Sequence, residues 1–420
     1  MYKFIAKERR EKLSQELEDG DLLIVFGGND ELGIDQIASR DRRNHNFFYL
    51  TGMDIPGGLL LIARIRGNVQ EILFIHRRTA EEEFYLGVSL DLQYYREKTG
   101  IPVVMYKEDF DDIINQFGMM MKLNKVYFAS SHEKMSKYPR FENLMADKLT
   151  RAYPGIRIDN MAEKLGFMRL RKTDLEVEQI RKAAEITGHA IKEAARALHP
   201  GIMDYQLRSI IRHNLSMEGA EPDVILALLG RGTTILHNFC PQGAAKDGDL
   251  FLTDILAYYN DYCCDISRTF PVSGKFTEEQ AYWYNVCLKT QELVIESLAP
   301  GKLRSECGKE GNAYLEDELR RHGYLGKTEN VGMLLGRCAV NYATPGMVNH
   351  GIGLHHAEKS QDEEGRIVPG MVFTVEPGIY LGDRGIGIRI EDDILITETG
   401  YEILSKAIPK KLEEIEAMVG

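Results

Sequence analysis

Phe251-Leu-Thr-Asp254-Ile-Leu-Ala-Tyr-Tyr-Asn-Asp-Tyr-Cys-Cys-Asp265-Ile-Ser-Arg-Thr-Phe270 is the stretch from which both fold and chemistry are read. Two runs rich in apolar and aromatic residues, Leu250 to Tyr258 and Tyr262 to Phe270, flank the pair Asn260-Asp261, which suits the centre of a tight hairpin turn. With that pair at the turn, Asp254 lies opposite Ser267, and Asp265 sits two residues from Ser267 on the same strand. Residues two apart on a strand share a face, so the two carboxylates become diagonal neighbours. A solvated acidic hairpin face is the alternative for this segment alone.

Three more oxygen or imidazole donors follow in order: His350, Glu376 and Glu391. Together the five side chains carry four negative charges, which repel strongly if held together at low dielectric. Two divalent cations would neutralise that charge, and hard or borderline metals accept all five donors. In Gly387-Ile-Arg389-Ile-Glu391, alternation puts Arg389 on the face of Glu391, where a guanidinium can fix carboxylates. An ion pair without catalytic meaning is the competing account.

Outward from this segment, 420 residues suffice for two domains and a large core. A net charge of -12 argues against nucleic acid or anionic membrane as partner. No apolar run reaches transmembrane length, and the residues from Met1 to Arg10 lack a signal-peptide core. The six cysteines, at 240, 263, 264, 287, 307 and 338, show no zinc-finger spacing and are read as reduced, cytoplasmic thiols. Cys263 and Cys264 are assigned to strand packing and not to metal binding.

The first half alternates element types. Asp21 to Phe26 reads as a strand ended by Gly27-Gly28, and Gly58 to Ala63 with Val69 to Ile75 reads as a hairpin around Arg66-Gly67-Asn68. Lys125 to Ala129 is a further strand; Phe4 to Leu17 and Lys134 to Ala152 are helical. His76-Arg77-Arg78 is most simply the solvated end of a strand. Near Arg171-Lys172-Thr173 a capping box, Thr173 to Glu176, opens a long helix that His199-Pro200-Gly201 ends. A second domain begins here, giving domains over 1–168 and 169–420.

His237 in Ile-Leu-His-Asn, Asp254, the run Asp265 to Pro271, Asn349-His350-Gly-Ile-Gly353, Thr374-Val-Glu376-Pro-Gly378 and Ile388-Arg-Ile-Glu391-Asp-Asp393 together resemble the pita-bread metallopeptidases. Arg43 to Gly52 is similar to the segment that opens the aminopeptidase P amino-terminal domain, although an aromatic stripe of this kind also suits strand core. The resemblance implies an α/β (α+β) fold: a small mixed, creatinase-like N-domain followed by a pita-bread domain of curved antiparallel sheet flanked by helices. It also implies a dimetal aminopeptidase, with Mn2+ as the ion, that removes an N-terminal residue preceding proline. Asp265 and Glu391 would bridge both ions, Asp254 would complete one shell, and His350 and Glu376 the other. Glu376 would double as general base to a bridging hydroxide, and His237 would border the substrate. For His237 alone a buried, hydrogen-bonded histidine is the alternative. Family habit adds a homo-oligomer.

Two departures stand out. Family members place histidines where this chain has Gly346 and Ala357, and His355, sharing strand parity with Ala357, is the candidate to compensate. Relatives have Asp-Ala-Gly where this chain has Asp254-Ile-Leu. A prolidase-like dipeptidase, another C–N hydrolase, or a weakly catalytic binding relative are the alternatives.

Overall fold

A computed structural model describes residues 2–28, 44–129, 141–336, 340–345 and 348–419. Arg43, Cys338, Gly346 and the 134–140 part of an expected helix lie outside the described residues. The chain divides into two compact units, Met1–Gly166 and Phe167–Gly420. Among the described residues no helix is long and apolar enough to cross a membrane.

In the first unit the buried strand Leu22–Phe26 runs antiparallel to Leu59–Ile65 and parallel to Lys125–Phe128 within a six-stranded mixed sheet. Leu59–Ile65 and Asn68–Ile75 form the expected hairpin, with Arg66 and Gly67 both at positive φ. The segment after Arg43 is a helix, His45–Thr51, so its aromatic stripe belongs to a helix and not to a strand. The Asn44 side chain accepts from the amides of Asn46 and Phe47 and so caps donors that the first turn leaves open. His76 is not simply solvated either: its Nε2 meets Glu82 at 2.9 Å, at the start of helix Ala80–Leu86.

The second unit starts from the capping box. The Thr173 amide donates to Glu176 at 2.8 Å and the Glu176 amide returns to the Thr173 hydroxyl, opening helix Asp174–Arg196. Its buried face, including Ala184, Ile186, Ala190 and Ile191, joins the core of an antiparallel sheet of Glu221–Leu229, Leu250–Tyr259 and Tyr262–Pro271. Asn260 and Asp261 sit at φ 46° and 73°, the left-handed geometry that matches a two-residue turn to strand twist. Phe251 and Phe270 stack at 6.0 Å beneath this sheet, fully buried. Truncating either to Ala would cost about 3–5 kcal/mol.

Two further antiparallel sheets complete the unit. Val348–Gly351, Val372–Val375, Asp392–Ile396 and Tyr401–Ile403 form one; Asn341–Thr344, Gly378–Leu381 and Ile386–Arg389 form the other. The chain passes from the first to the second at Glu376-Pro377 and returns at Ile390-Glu391. Gln291, buried on helix Glu278–Glu296, holds both crossings by donating to Val375 O at 3.0 Å and Ile390 O at 3.1 Å. Those crossings place two acidic side chains together.

Candidate metal centre

The hairpin register puts Asp254 opposite Ser267 and Asp265 opposite Leu256, so both carboxylates leave one face. Glu376 and Glu391 come from the crossings, where the backbone is free of ladder geometry, and His350 comes from strand Val348–Gly351. His350 Nε2 lies 3.4 Å from Glu376 Oε1 and 3.7 Å from Asp265 Oδ2. One donor atom each from Asp265, His350 and Glu391 lie within 4.8 Å of one another. This is the spacing and donor chemistry, carboxylate oxygens with one imidazole, that a divalent cation takes. The residues fit the implied metal.

Electrostatics carry the same message. Burial first, then the charges of Glu391 and Asp254, push the Asp265 carboxyl well above the usual carboxylate range. Burial and the charges of Glu376 and Asp254 do the same to Glu391. For Glu376 burial acts upward, but hydrogen bonds from His350 and Asn349 and the charge of Arg389 bring it below its ordinary value. The Asn349 amide donates to Glu376 Oε1 at 2.6 Å and the Thr374 hydroxyl at 3.0 Å.

Arg389 is the one cation inside the cluster among the described residues. Its guanidinium donates to Asp254 at 2.7 Å, to Ser267 Oγ at 2.9 Å and to the Tyr380 hydroxyl at 2.8 Å. Ser267 in turn donates to Glu391 at 2.7 Å. The sequence expectation is therefore corrected in its route. The strand breaks at Ile390-Glu391, and Arg389 reaches Glu391 only through Ser267. Behind it, fully buried Arg268 donates to Glu391 O at 2.6 Å and to Asp392 at 2.8 Å, while Lys410 donates to Asp392 at 2.6 Å. With those two cations outweighing burial, Asp392 stays ionised far below the usual carboxylate range.

His237 follows the short helix Gly230–Thr234 and is exposed, which removes the buried-histidine alternative. Its loop is tied to the centre: Leu236 O accepts from Arg389 at 3.4 Å and the Leu236 amide donates to Tyr342 OH at 3.0 Å. Tyr342 stacks on Tyr380 at 4.7 Å. Cys263 and Cys264 are buried, with Cys264 against Thr187 Oγ1.

His355 does not follow the strand-parity argument. The strand ends at Gly351, residues 352–357 turn, and His355 Nδ1 accepts from the Ala357 amide at 3.0 Å. The ring that packs on His350 is His356, edge-to-face at 6.2 Å. Burial, then His355 and His350, lower its pKa to about 4. The turn is braced by Glu358, which pairs with Arg169 and, at 2.9 Å, with Lys172, and accepts from the Leu354 amide at 3.1 Å. Ser267 and Asn349 stood beside sequence-legible donors, whereas Tyr380, Gln291 and His356 carried no signal of their roles.

Comparison with known proteins bears on what this centre is. The model of metallopeptidase family M24 matches residues 178–398, and that of the aminopeptidase P N-terminal domain matches 6–127. The chain belongs to metallopeptidase family M24, in its aminopeptidase P branch. A family member from Escherichia coli K12, Xaa-Pro aminopeptidase, is 32% identical over 98% of this chain and 97% of that one. Among solved M24 structures, one assigned as an aminopeptidase P from Bacillus anthracis superposes with TM-score 0.90 at 27% identity, covering 100% of this chain and 98% of that one. A variant of Escherichia coli aminopeptidase P in complex with substrate gives TM-score 0.84 at 29% identity, covering 99% and 98%. The pita-bread fold of the family is thus the fold of this chain's second unit.

Proposed function

We infer that this chain is a metal-dependent aminopeptidase that hydrolyses the N-terminal Xaa-Pro peptide bond. The observation that carries the reading is the convergence of Asp265, His350 and Glu391 within 4.8 Å, in an M24 chain that shares nearly its whole length with an Xaa-Pro aminopeptidase. That likeness disfavours the dipeptidase, the other C–N hydrolases and the binding-only relative.

In this proposal residues 1–168 form the N-domain and 169–420 the catalytic domain. Asp254, Asp265, His350, Glu376 and Glu391 would hold two divalent ions, Mn2+ in the first instance. Ions in such a site supply Lewis acidity, polarising the scissile carbonyl and making water acidic near neutral pH. Glu376, whose carboxylate accepts from Asn349 and Thr374, takes the proton from the attacking water and delivers it to the proline nitrogen as the C–N bond breaks. Arg389 orients Asp254 directly and Glu391 through Ser267, which holds the anionic set in one arrangement. His237, exposed on a loop that Arg389 and Tyr342 tether through Leu236, would donate to the substrate carbonyl as charge develops. The protein is proposed to be cytoplasmic and to work as a homo-oligomer on free peptides.

The test is mass spectrometry of the Mn-loaded protein with an Xaa-Pro-Xaa tripeptide and an Xaa-Pro dipeptide, with Asp265→Asn as control. Release of the first residue from the tripeptide, lost in Asp265→Asn, supports the reading. Cleavage of the dipeptide alone makes the protein a dipeptidase. Turnover unchanged in Asp265→Asn would refute the metal assignment.

A further inference from the structure

His350 presents Nε2 to Asp265 and Glu376, so its other ring nitrogen decides how firmly and in which tautomer it is held. That Nδ1 is buried and has no hydrogen-bond partner among the described residues. A second buried, unpartnered imidazole nitrogen lies on the adjacent ring: Nδ1 of His356. The two rings meet edge-to-face with centroids 6.2 Å apart. Buried polar atoms of this kind are normally satisfied, and one shared group can satisfy two that sit on neighbouring rings.

We propose that His356 is a positioning residue for the metal-ligating imidazole of His350, the two Nδ1 atoms being linked through a single buried water. His350 Nδ1–H donates to the water, which donates to His356 Nδ1. The proton on Nδ1 leaves the Nε2 lone pair of His350 free for an ion that Asp265 and Glu391 would share. Outer partners of this type fix ring orientation and raise ligand basicity.

The loop is built to hold that arrangement. Gly351 and Glu358 exchange backbone hydrogen bonds at 3.1 and 2.8 Å, and the Cys263 amide donates to Gly353 O at 2.8 Å, two residues from Asp265. The Glu358 carboxylate is 5% exposed and pinned by Arg169 and Lys172. His355 is excluded from the role because its Nδ1 is engaged by the Ala357 amide.

The inference rests on the metallopeptidase reading, so the test reads metal binding directly. Mn2+ affinity is measured by titration calorimetry, and the visible spectrum of the Co2+-loaded protein is recorded, for wild type, His356→Phe, His356→Gln and His355→Ala. His356→Phe keeps a ring against His350 but removes both nitrogens, which separates hydrogen bonding from packing. The expected result is affinity weakened about 10–100-fold in His356→Phe with a shifted Co2+ spectrum. Recovery in His356→Gln and less than twofold change in His355→Ala are expected with it. Wild-type affinity and spectrum in His356→Phe overturn the proposal, as does an equal loss in His355→Ala. A wild-type protein that binds no metal overturns the metal centre and this role together, whereas metal binding without peptide turnover overturns only the aminopeptidase reading.

Discussion

Arg389 and Asp254 meet at 2.7 Å across two different sheets, and the pair is nearly closed to solvent, with side chains 2% and 15% exposed. Burial works against the guanidinium charge, but Tyr380, Asp254 and Glu391 hold its pKa well above the ordinary arginine value. Arg389→Ala leaves Asp254 and Glu391 without their shared cation. Breaking a buried pair in this way costs about 3–5 kcal/mol. A large fall in melting temperature is expected, and Arg389→Lys recovers little of it because an ammonium cannot contact Asp254, Ser267 and Tyr380 with one planar fork. Melting curves of the three proteins check this; full recovery in Arg389→Lys would show that charge alone matters.

Metal addition tests the acidic cluster without reference to any substrate. Ions bound to the native state stabilise it by mass action, about 2.7 kcal/mol at one hundred times the dissociation constant. Saturating Mn2+ should therefore raise the melting temperature of the wild type, and chelation should lower it. Asp265→Asn should lose most of that response. An identical response in the variant would place the bound ions elsewhere.

Glu358 predicts a pH dependence of stability. Burial raises its pKa, but Arg169 and Lys172 outweigh burial and hold it at about 2, against 4.5 for the unperturbed group. The folded carboxyl thus ionises more readily than the unfolded one. Its contribution, on the order of 3 kcal/mol, is complete above about pH 4.5 and is lost as the pH falls toward about 2. Glu358→Gln should be less stable than wild type at pH 7, and the gap should close through that window. Denaturant unfolding at several pH values measures it; a gap that persists at low pH assigns the effect to packing.

Gly387 is required by close approach. A Cβ there would collide with the backbone carbonyl of Thr233, in the short helix that leads to Leu236 and His237. Gly387→Ala must shift that segment, and overpacking of this kind costs typically about 1–3 kcal/mol. The expected signature is a modest stability loss with a larger fall in kcat/KM on Xaa-Pro peptides. Equal and small effects on both would show that the segment gives way without disturbing His237.

The His237→Ala variant separates structure from chemistry. His237 is exposed, and surface substitutions away from caps and pairs usually stay within about 0.5 kcal/mol. Its melting temperature should match wild type while peptide turnover falls. Undiminished kcat/KM removes the residue from the mechanism.

The sequence by itself determined the elements whose rules are local. The Asn260-Asp261 turn, the register that sets Asp254 opposite Ser267, and the Thr173 capping box all depend on residues a few positions apart. The order of five metal-type donors was legible as well, because it is a pattern of chemistry and not of distance. Parity arguments failed where strands stop: Ile390-Glu391 and the turn after Gly351 are places where tertiary packing replaces ladder geometry, and neither Arg389 nor His355 follows its expected route there. Only the tertiary structure decided that Ser267 relays Arg389 to Glu391, that Gln291 holds both crossings, and that His356 stands against His350. These contacts join residues up to 124 positions apart, and no local preference encodes them: Ser267 and Gln291 answer the need of buried carboxylate and carbonyl oxygens for donors, and His356 meets His350 through the turn after Gly351.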